Sequence, residues 1–561
     1  MKKIASIIMA AATLFAACTP DEGGKTQGGT TANIKADFTI SVNPATVGEE
    51  VTFTATASGG IEPYTYSWEL GSDIKVEGNP LNYTFEQNNA YIVKLTVTDK
   101  DGNKAEKRKN LVVNPAEVAE TGEVTLLWAA KMRGYNTVST PAVTDDGCVV
   151  AVSGNNEIDG KAGQVAKFDK DGKVVWTRDL PGKAKGTPSI DADGTIFLPN
   201  GNANGTAVVY ALNPADGTSK WEFTSDKFWA APGQTPAPSL QGGICGIGAN
   251  NIYFGNCGTT GSVLAVNKAT GERVGWVTNA DGTGGPAGGV RSGVVITKSG
   301  QIVWGGGQYG THYIAQSALD GAGNSGVPYA GRYYPVQAKN NSEGGIAALT
   351  IGGKSCIAGM ATNKDTVLPW IYVFDAATGA AVCEYNLAEG NAEMDNGAVV
   401  VTAEGYIVAT LNFTNGQENG GIIIINPSSA TGTLVAECRL QEKVSGSPAI
   451  DAAGNIHFGT ESGNYYMVSK TCEVLAKKNL AELVASDSRY SADMPFEAAK
   501  VYSSVVLGDD GKVFVHFTNN DANKKREWSA VVCLEVGGCT GVGDTPWPMF
   551  GQNRRHTNCE K

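Results

Sequence analysis

The sequence predicts an all-β chain in which a small sandwich precedes an eight-bladed β-propeller. Two periodic signals carry the propeller. The first is a glycine just before a short, largely apolar run. It occurs seven times: Gly147-CVVAV, Gly194-TIFLP, Gly300-QIVWG, Gly353-KSCIAG, Gly405-YIVAT, Gly454-NIHFG and Gly511-KVFVH. The spacings are 47, 106, 53, 52, 49 and 57 residues. The gap of 106 is two units of 53, and it holds one more strand, NIYFGN (251–256), behind a longer turn. Eight units at a period of about fifty residues, with several short strands in each, read as propeller blades.

The second signal lies inside most units: an apolar strand, a turn with Gly, then a strand often holding Trp. It appears at 165–180, 208–223, 263–277, 371–385 and 423–438. The copy at 466–480 is worn, and the one at 312–321 is weaker still. With 72 Gly and only 18% charged residues, the composition suits many tight turns and no long helices. Ring closure is legible too. The last unit offers SAVVCLEVGG (529–538) with no following Trp strand, while VTLLWAAK (124–131) stands before the first unit. Pairing the two closes the ring and removes both edge strands.

These repeats resemble the PQQ-like repeat, A-L-D-x-x-T-G-x-x-x-W, of quinoprotein-type eight-bladed propellers. The resemblance covers about 125–558 and is clearest at Ala211-Leu212-Asn213, Thr218 and Trp221. It implies that Trp176, Trp221 and Trp276 pack between blades. The tail Trp547-Pro548-Met549-Phe550 through Asn558 resembles a segment recurring in such proteins and reads as a packed terminal strap.

Residues about 36–114 form a separate unit of alternating strands with turn residues between them. Pro63-Tyr64-Thr65-Tyr66-Ser67-Trp68, Tyr83-Thr84-Phe85 and Val93 to Asp99 resemble a PKD domain, an immunoglobulin-like sandwich. The match is partial: Trp68-Glu69-Leu70-Gly71-Ser72-Asp73 stands where the family has W-D-F-G-D-G. Trp68 reads as the core tryptophan. Asp99-Lys100-Asp101-Gly102-Asn103 begins like a calcium loop, but Lys104 and Asn110 stand where Gly and Glu are needed, so a β-turn is the reading. The expected job of this module is spacing.

At the N-terminus, Lys2 and Lys3 precede a largely apolar run over 4–17, too short to span a bilayer, so 1–17 reads as a signal peptide. It ends in Phe15-Ala16-Ala17-Cys18, which resembles a bacterial lipobox with Phe at the usual Leu position. The resemblance implies lipidation of Cys18; the alternative is ordinary cleavage after Ala17. Residues 18–35 read as a tether. Acidic Asp21 and Glu22 look like the tag that sends lipoproteins to the surface of some Gram-negative bacteria. The expected place is the outer membrane, held by a lipid anchor only. A net charge of −12 argues against nucleic acid as a partner.

The resemblance raises the question of catalysis. Quinoprotein dehydrogenases of this fold bind PQQ and Ca²⁺ in the central funnel, usually with an acidic base, and many carry a vicinal disulfide. This chain has no adjacent Cys pair, no C-x-x-C or C-x-x-C-H, no G-x-S-x-G and no H-E-x-x-H. Besides Cys18 ten cysteines remain; disulfides are permitted in an exported chain, buried free thiols equally so. Of four histidines, His457 and His516 lie in apolar strands and read as structural. The expectation is therefore a non-catalytic protein with no cofactor and no metal. A carboxylate pair among 56 acidic residues leaves a lyase or hydrolase as the third alternative.

In this register the tight glycine turns share one face, and the irregular loops lie on the other. Unit four departs most. Trp229, Tyr309, Tyr313, Tyr333 and Tyr334 offer stacking platforms, with Arg291, Asn340, Asn341, Glu343, Asp395 and Asn396 as polar partners. Planar amphipathic rings beside amides and carboxylates suit a polysaccharide or another polar ligand. The first expectation is a surface lipoprotein capturing a glycan beside an outer-membrane transporter. The second is an envelope scaffold making protein–protein contacts.

Overall fold

A computed structural model describes residues 34–560 except 72–73, 87–88, 115–121, 137–138, 155–162, 182–183, 202–206, 229–237, 241–242, 257–261, 279–289, 307–311, 316–326, 329–330, 334–344, 363–367, 388–397, 413–419, 496–497 and 520–527. Cys18, the signal segment and most of the tether lie outside the described residues. The chain forms two compact units, parted near Leu111 and Val112.

The first unit is a sandwich of two sheets. One joins Lys35–Ile40, Glu50–Ser58 and Leu81–Thr84; the other joins Ala45–Thr46, Lys104–Asn114, Asn89–Thr98, Thr65–Leu70 and Ile74–Glu77. Period-two burial along Glu50–Ser58 places Val51, Phe53 and Ala55 inside. Trp68 is fully buried and meets Phe38 edge-on at 5.1 Å. Its indole N–H donates to the Gly78 carbonyl at 2.8 Å. Asp99 spends its carboxylate on backbone N–H groups of Asp101, Asn103 and Ile61, at 3.0, 2.8 and 3.2 Å. It therefore ties a turn.

The second unit carries eight sheets among its described residues. Blade 1 is Ala142–Val143, Val149–Ser153, Gln164–Phe168 and Val174–Asp179, antiparallel throughout. Blades 2 and 3 span 189–223 and 246–278, and blades 5 and 6 span 347–386 and 400–440. Blade 7 is Ala449–Ile450, Ile456–Gly459, Asn464–Val468 and Val474–Asn479. Blade 8 joins Ala499–Lys500 and Val506–Leu507 to Val513–Asn519, then Trp528–Val536, then Val124–Arg133. Val531 opposes Ala130 and Cys533 opposes Trp128, so the strand before the first unit closes the ring, as the sequence predicts. One short helix, Leu480–Ser486, follows blade 7, with Asn479 accepting the Glu482 N–H as its cap.

The glycine period has one physical cause. Gly147, Gly194, Gly300, Gly405, Gly454 and Gly511 hold φ between 79° and 85°, a region that a Cβ disfavours. Each N–H closes a turn on the carbonyl three residues back, for example Gly194 on Asp191 at 3.0 Å and Gly454 on Asp451 at 3.0 Å.

The Trp motif has another. A Cβ on Gly172 would meet the Trp128 ring at 2.6 Å, and the same distance separates Gly217 from Trp176 and Gly271 from Trp221. Each indole covers the bare turn of the following blade. Each also donates to a carbonyl there: Trp128 to Lys170 at 2.9 Å, Trp176 to Pro214 at 3.1 Å and Trp221 to Lys268 at 3.0 Å. Trp276 breaks the series. In blades 1 and 2 the tryptophan opposes Lys167 and Ala211; in blade 3 Gly275 takes that place and Trp276 sits one residue later, opposite Leu264. A slip of one residue turns a strand side chain to the other face. Trp276 accordingly packs with Phe223 and Phe254, toward blade 2, under the Arg273 guanidinium. It is between blades, as expected, but on the opposite side.

Blade 4 is Val290–Ile296, Ile302–Gly306, His312–Ala315 and Gly331–Tyr333. Its fourth strand comes ten residues after 312–321, where the repeat motif is weak. On the way, Val327–Pro328 pairs parallel to the outer strand of blade 3, with Val277 opposite Val327.

Candidate functional site

The two ends of the central channel differ. At the tight-turn end the C-terminal strap bonds to the innermost strand of blade after blade. The N–H groups of Val143, Ile190, Ile247 and Ile296 donate to the carbonyls of Arg554, Arg555, Thr557 and Asn558 at 2.7, 2.8, 2.9 and 3.0 Å. Those of Val401 and Ile450 donate to Trp547 and Pro548, both at 2.8 Å. Blades 1, 2, 3, 4, 6 and 7 are thus bound by one segment. Trp547, Met549, Phe550 and His556 are buried, and Phe550 packs against Ile244 and Ala398. Burial pushes the His556 imidazole down to about 4, although its bond to the Pro188 carbonyl opposes this, so it is neutral there.

At the opposite end the described residues include a belt of buried hydroxyls. Thr140, Thr187, Ser447 and Ser504 each stand two residues before an innermost strand. They form a belt in which an N–H of one blade donates to the next hydroxyl. Ala398 donates to Ser447, Ser447 to Ser504 at 3.0 Å, Ser504 to Thr140 at 3.1 Å and Thr140 to Thr187 at 3.3 Å. The belt joins blades 6, 7, 8, 1 and 2, across the closing seam. A second repeated device is an asparagine ending the strand after the glycine turn. Asn256 Oδ1 accepts the Ser239 N–H at 2.9 Å, Asn412 Oδ1 the Val444 N–H at 3.2 Å, and Asn200 Nδ2 donates to the Pro181 carbonyl at 3.1 Å. Both devices have a sequence signal that the glycine count passes over: Thr-Pro, Ser-Pro or Ser-Val before the inner strand, and IFLPN, NIYFGN, IVATLN and VFVHFTN at the asparagines.

Three buried or half-buried titratable groups described at this end are occupied by neighbours. Glu442 accepts from Thr460, Tyr466, Asn464 and Lys477 at 2.5, 2.6, 2.8 and 3.1 Å. Burial raises its pKa, but these donors outweigh that and hold it below the usual carboxylate range. Glu461 takes Ser445 at 2.6 Å and Lys500 at 3.3 Å. His516 lies between Asn136 Nδ2 at 3.1 Å and Ser529 Oγ at 2.9 Å, and burial pushes it down to about 3. A serine beside a neutral imidazole has the composition of a nucleophile and its base. Here both are buried, at 0% and 1% exposure, so a substrate has no access and the pair is structural, as expected for His516.

A quinone cofactor held with a divalent cation needs a free carboxylate and converging donors. The belt oxygens are taken by backbone amides, and Glu442 and Glu461 by side-chain donors, so the described residues at this end do not fit it.

Of the expected ligand residues, three lie on described strands. Arg291 is on Val290–Ile296, where the pairing slips between Val290 and Val294. Tyr313 opposes Trp304 on one side and Arg332 on the other, and Tyr333 opposes His312. All three therefore belong to the sheet of blade 4. Trp229, Tyr309, Tyr334, Asn340, Asn341, Glu343, Asp395 and Asn396 lie outside the described residues.

Comparisons with known proteins agree with this architecture. A family model described as PKD domain matches residues 35–113. One described as outer membrane protein assembly factor BamB matches 116–317. No curated protein matches significantly. Among solved structures, a europium-containing methanol dehydrogenase is similar at 12% identity and TM-score 0.53, over 73% of this chain and 93% of its own. A quinohemoprotein alcohol dehydrogenase from Pseudomonas putida HK5 is similar at 12% identity and TM-score 0.52, over 76% and 78%. At such identity the likeness concerns the fold alone. The chain is a PQQ-like β-propeller protein with an N-terminal PKD domain.

Proposed function

We propose that this protein is an exported, lipid-anchored, non-catalytic propeller that docks a protein of the cell envelope on its open face. The carrying observation is the asymmetry of the channel. The strap engages six blades at the tight-turn end, so a partner is left the opposite end. The match over 116–317 to a model named for an outer-membrane assembly factor supports a protein as the partner. The lipobox-like Phe15-Ala16-Ala17-Cys18 supports the anchor, and Asp21 and Glu22 support the cell surface.

A second reading, glycan capture beside an outer-membrane transporter, is favoured by the loop composition of 304–343, rich in Tyr, Asn and Gly. Site-specific photo-crosslinking in intact cells separates the two. A probe at Lys443, beside Glu442, should give discrete protein adducts, and one at Lys170, on a tight turn, should give none. Equal adducts from both positions would sink the docking reading. Retardation of the propeller in gels cast with soluble polysaccharides, with no adduct at Lys443, would establish the second.

A further inference from the structure

One polar cluster lies where the repeat demands apolar side chains. His457 is fully buried on the second strand of blade 7, opposite Ala449. At the same register position blades 1, 2, 3, 4, 6 and 8 carry Val150, Phe197, Tyr253, Val303, Val408 and Phe514. Beside His457 stand Asp451, also fully buried, and Tyr465. Burying a carboxylate and an imidazole in a hydrophobic slot is costly unless something is gained.

The geometry shows what that is. His457 Nε2 lies 3.2 Å from Asp451 Oδ2. Cys539, half-buried just after the strand Trp528–Val536, brings its sulfur near, and the three ligand atoms lie within 4.8 Å of one another. A single zinc ion bonded to N and O at roughly 2.1 Å holds two such atoms that far apart at close to a tetrahedral angle. The surroundings orient both ligands. His457 Nδ1 is 2.6 Å from the Tyr465 hydroxyl, which leaves Nε2 to the ion. Asp451 Oδ1 is fixed by the N–H groups of Ala453 and Asn455, at 2.9 and 2.8 Å. Gly538 and Gly541, both at positive φ, give the Cys539 turn freedom to close the last distance. Partial exposure of Cys539 provides an entry path.

We propose that Asp451, His457 and Cys539 bind a thiophilic divalent cation of the zinc class, with Tyr465 orienting the imidazole. A nitrogen, an oxygen and a sulfur donor together suit zinc better than magnesium or calcium. The Cys539 thiol gives its proton to solvent as the ion binds. The site staples the root of the strap to blade 7. Ala452 N–H already bonds to the Gly541 carbonyl, and Gly543 N–H to that of Ile450, both at 2.9 Å. The ion would lock the place where the strap leaves the last blade. The proposal departs from the sequence expectation of no metal and of a structural His457.

The test uses the full mature chain, stripped with a chelator under reducing conditions and titrated with Co(II). The expected result is one equivalent bound, with a near-ultraviolet thiolate-to-cobalt band that Zn(II) erases. Cys539→Ser should abolish that band with the far-UV circular dichroism unchanged, and His457→Gln should weaken binding at least tenfold. Because H457Q can disturb blade 7, the variant at the half-exposed Cys539 decides. No band in the wild type, the result expected of a hydrogen-bonded Asp–His–Tyr relay alone, overturns the proposal. So does a band that survives in C539S.

Discussion

The two ends of the channel are made from the same eight units yet behave as different materials. At the tight-turn end most blades meet the same demand, a glycine at positive φ in the inner turn, and one strap reads the inner amides of six of them. At the opposite end the repeated geometry of the described residues consists of the belt and the strand-ending asparagines, and the sequences of the connections follow no period. Regularity here marks what holds the ring together, and its loss marks the end to which the proposed docking is assigned.

The comparison can be broken most severely at the strap. Deleting residues 541–561 removes backbone bonds to six blades together with the buried Trp547, Met549 and Phe550, and strips Phe550 from Ile244 and Ala398. The expected outcome is loss of the cooperative thermal transition, read by circular dichroism. Survival of a native-like melt would mean the tight-turn end is closed by other means. Next comes Trp221→Ala, which strips a ring from the Gly271 turn and costs about 3–5 kcal/mol in denaturant melts. A milder pair is sharper. Trp221→Phe should cost about 1–2 kcal/mol, because it leaves the Lys268 carbonyl without its donor, whereas Trp276→Phe should cost less, since Trp276 Nε1 has no partner among the described residues.

That pair also shows what was legible. The period and the closing strand could be read because each unit solves the same local problem with the same residues. The slip of Trp276 was readable too: four residues separate Gly172 from Trp176 and Gly217 from Trp221, but five separate Gly271 from Trp276. The parity of that count decides the face. The fourth strand of blade 4 was not legible, because Gly331–Tyr333 is specified by pairing with His312–Ala315 and not by a local motif. Nor was the Asp451, His457 and Cys539 cluster, since Cys539 comes to blade 7 only because the segment after Trp528–Val536 turns back and pairs Val542 with Asp451. Most of the aromatic set lies outside the described residues.

Acid distinguishes the ends less strongly but touches both. His556, at the strap, and His516, at the open end, are held neutral, with folded values of about 4 and about 3. Their unfolded value is about 6.5, so the unfolded chain binds more protons below that pH. Stability is therefore full above about pH 6.5 and falls as pH drops toward the folded values, by a few kcal/mol in all. Replacing both with Gln should flatten the slope of melting temperature against pH between 6.5 and 4; an unchanged slope would refute the assignment. The smallest stability effects belong to the end opposite the strap. Ser504→Ala should cost about 1 kcal/mol, because the Ser447 N–H loses its acceptor. Lys443→Glu should stay within about 0.5 kcal/mol while reducing partner cross-linking.

Residue-resolved hydrogen exchange tests the closed end directly. The strap-bonded amides of Val143, Ile190, Ile247, Ile296, Val401 and Ile450 should exchange only through global unfolding, as slowly as the central strands of the blades. Exchange of these six at the rate of exposed turn amides would contradict a sealed tight-turn end, and with it the assignment of binding to the opposite face.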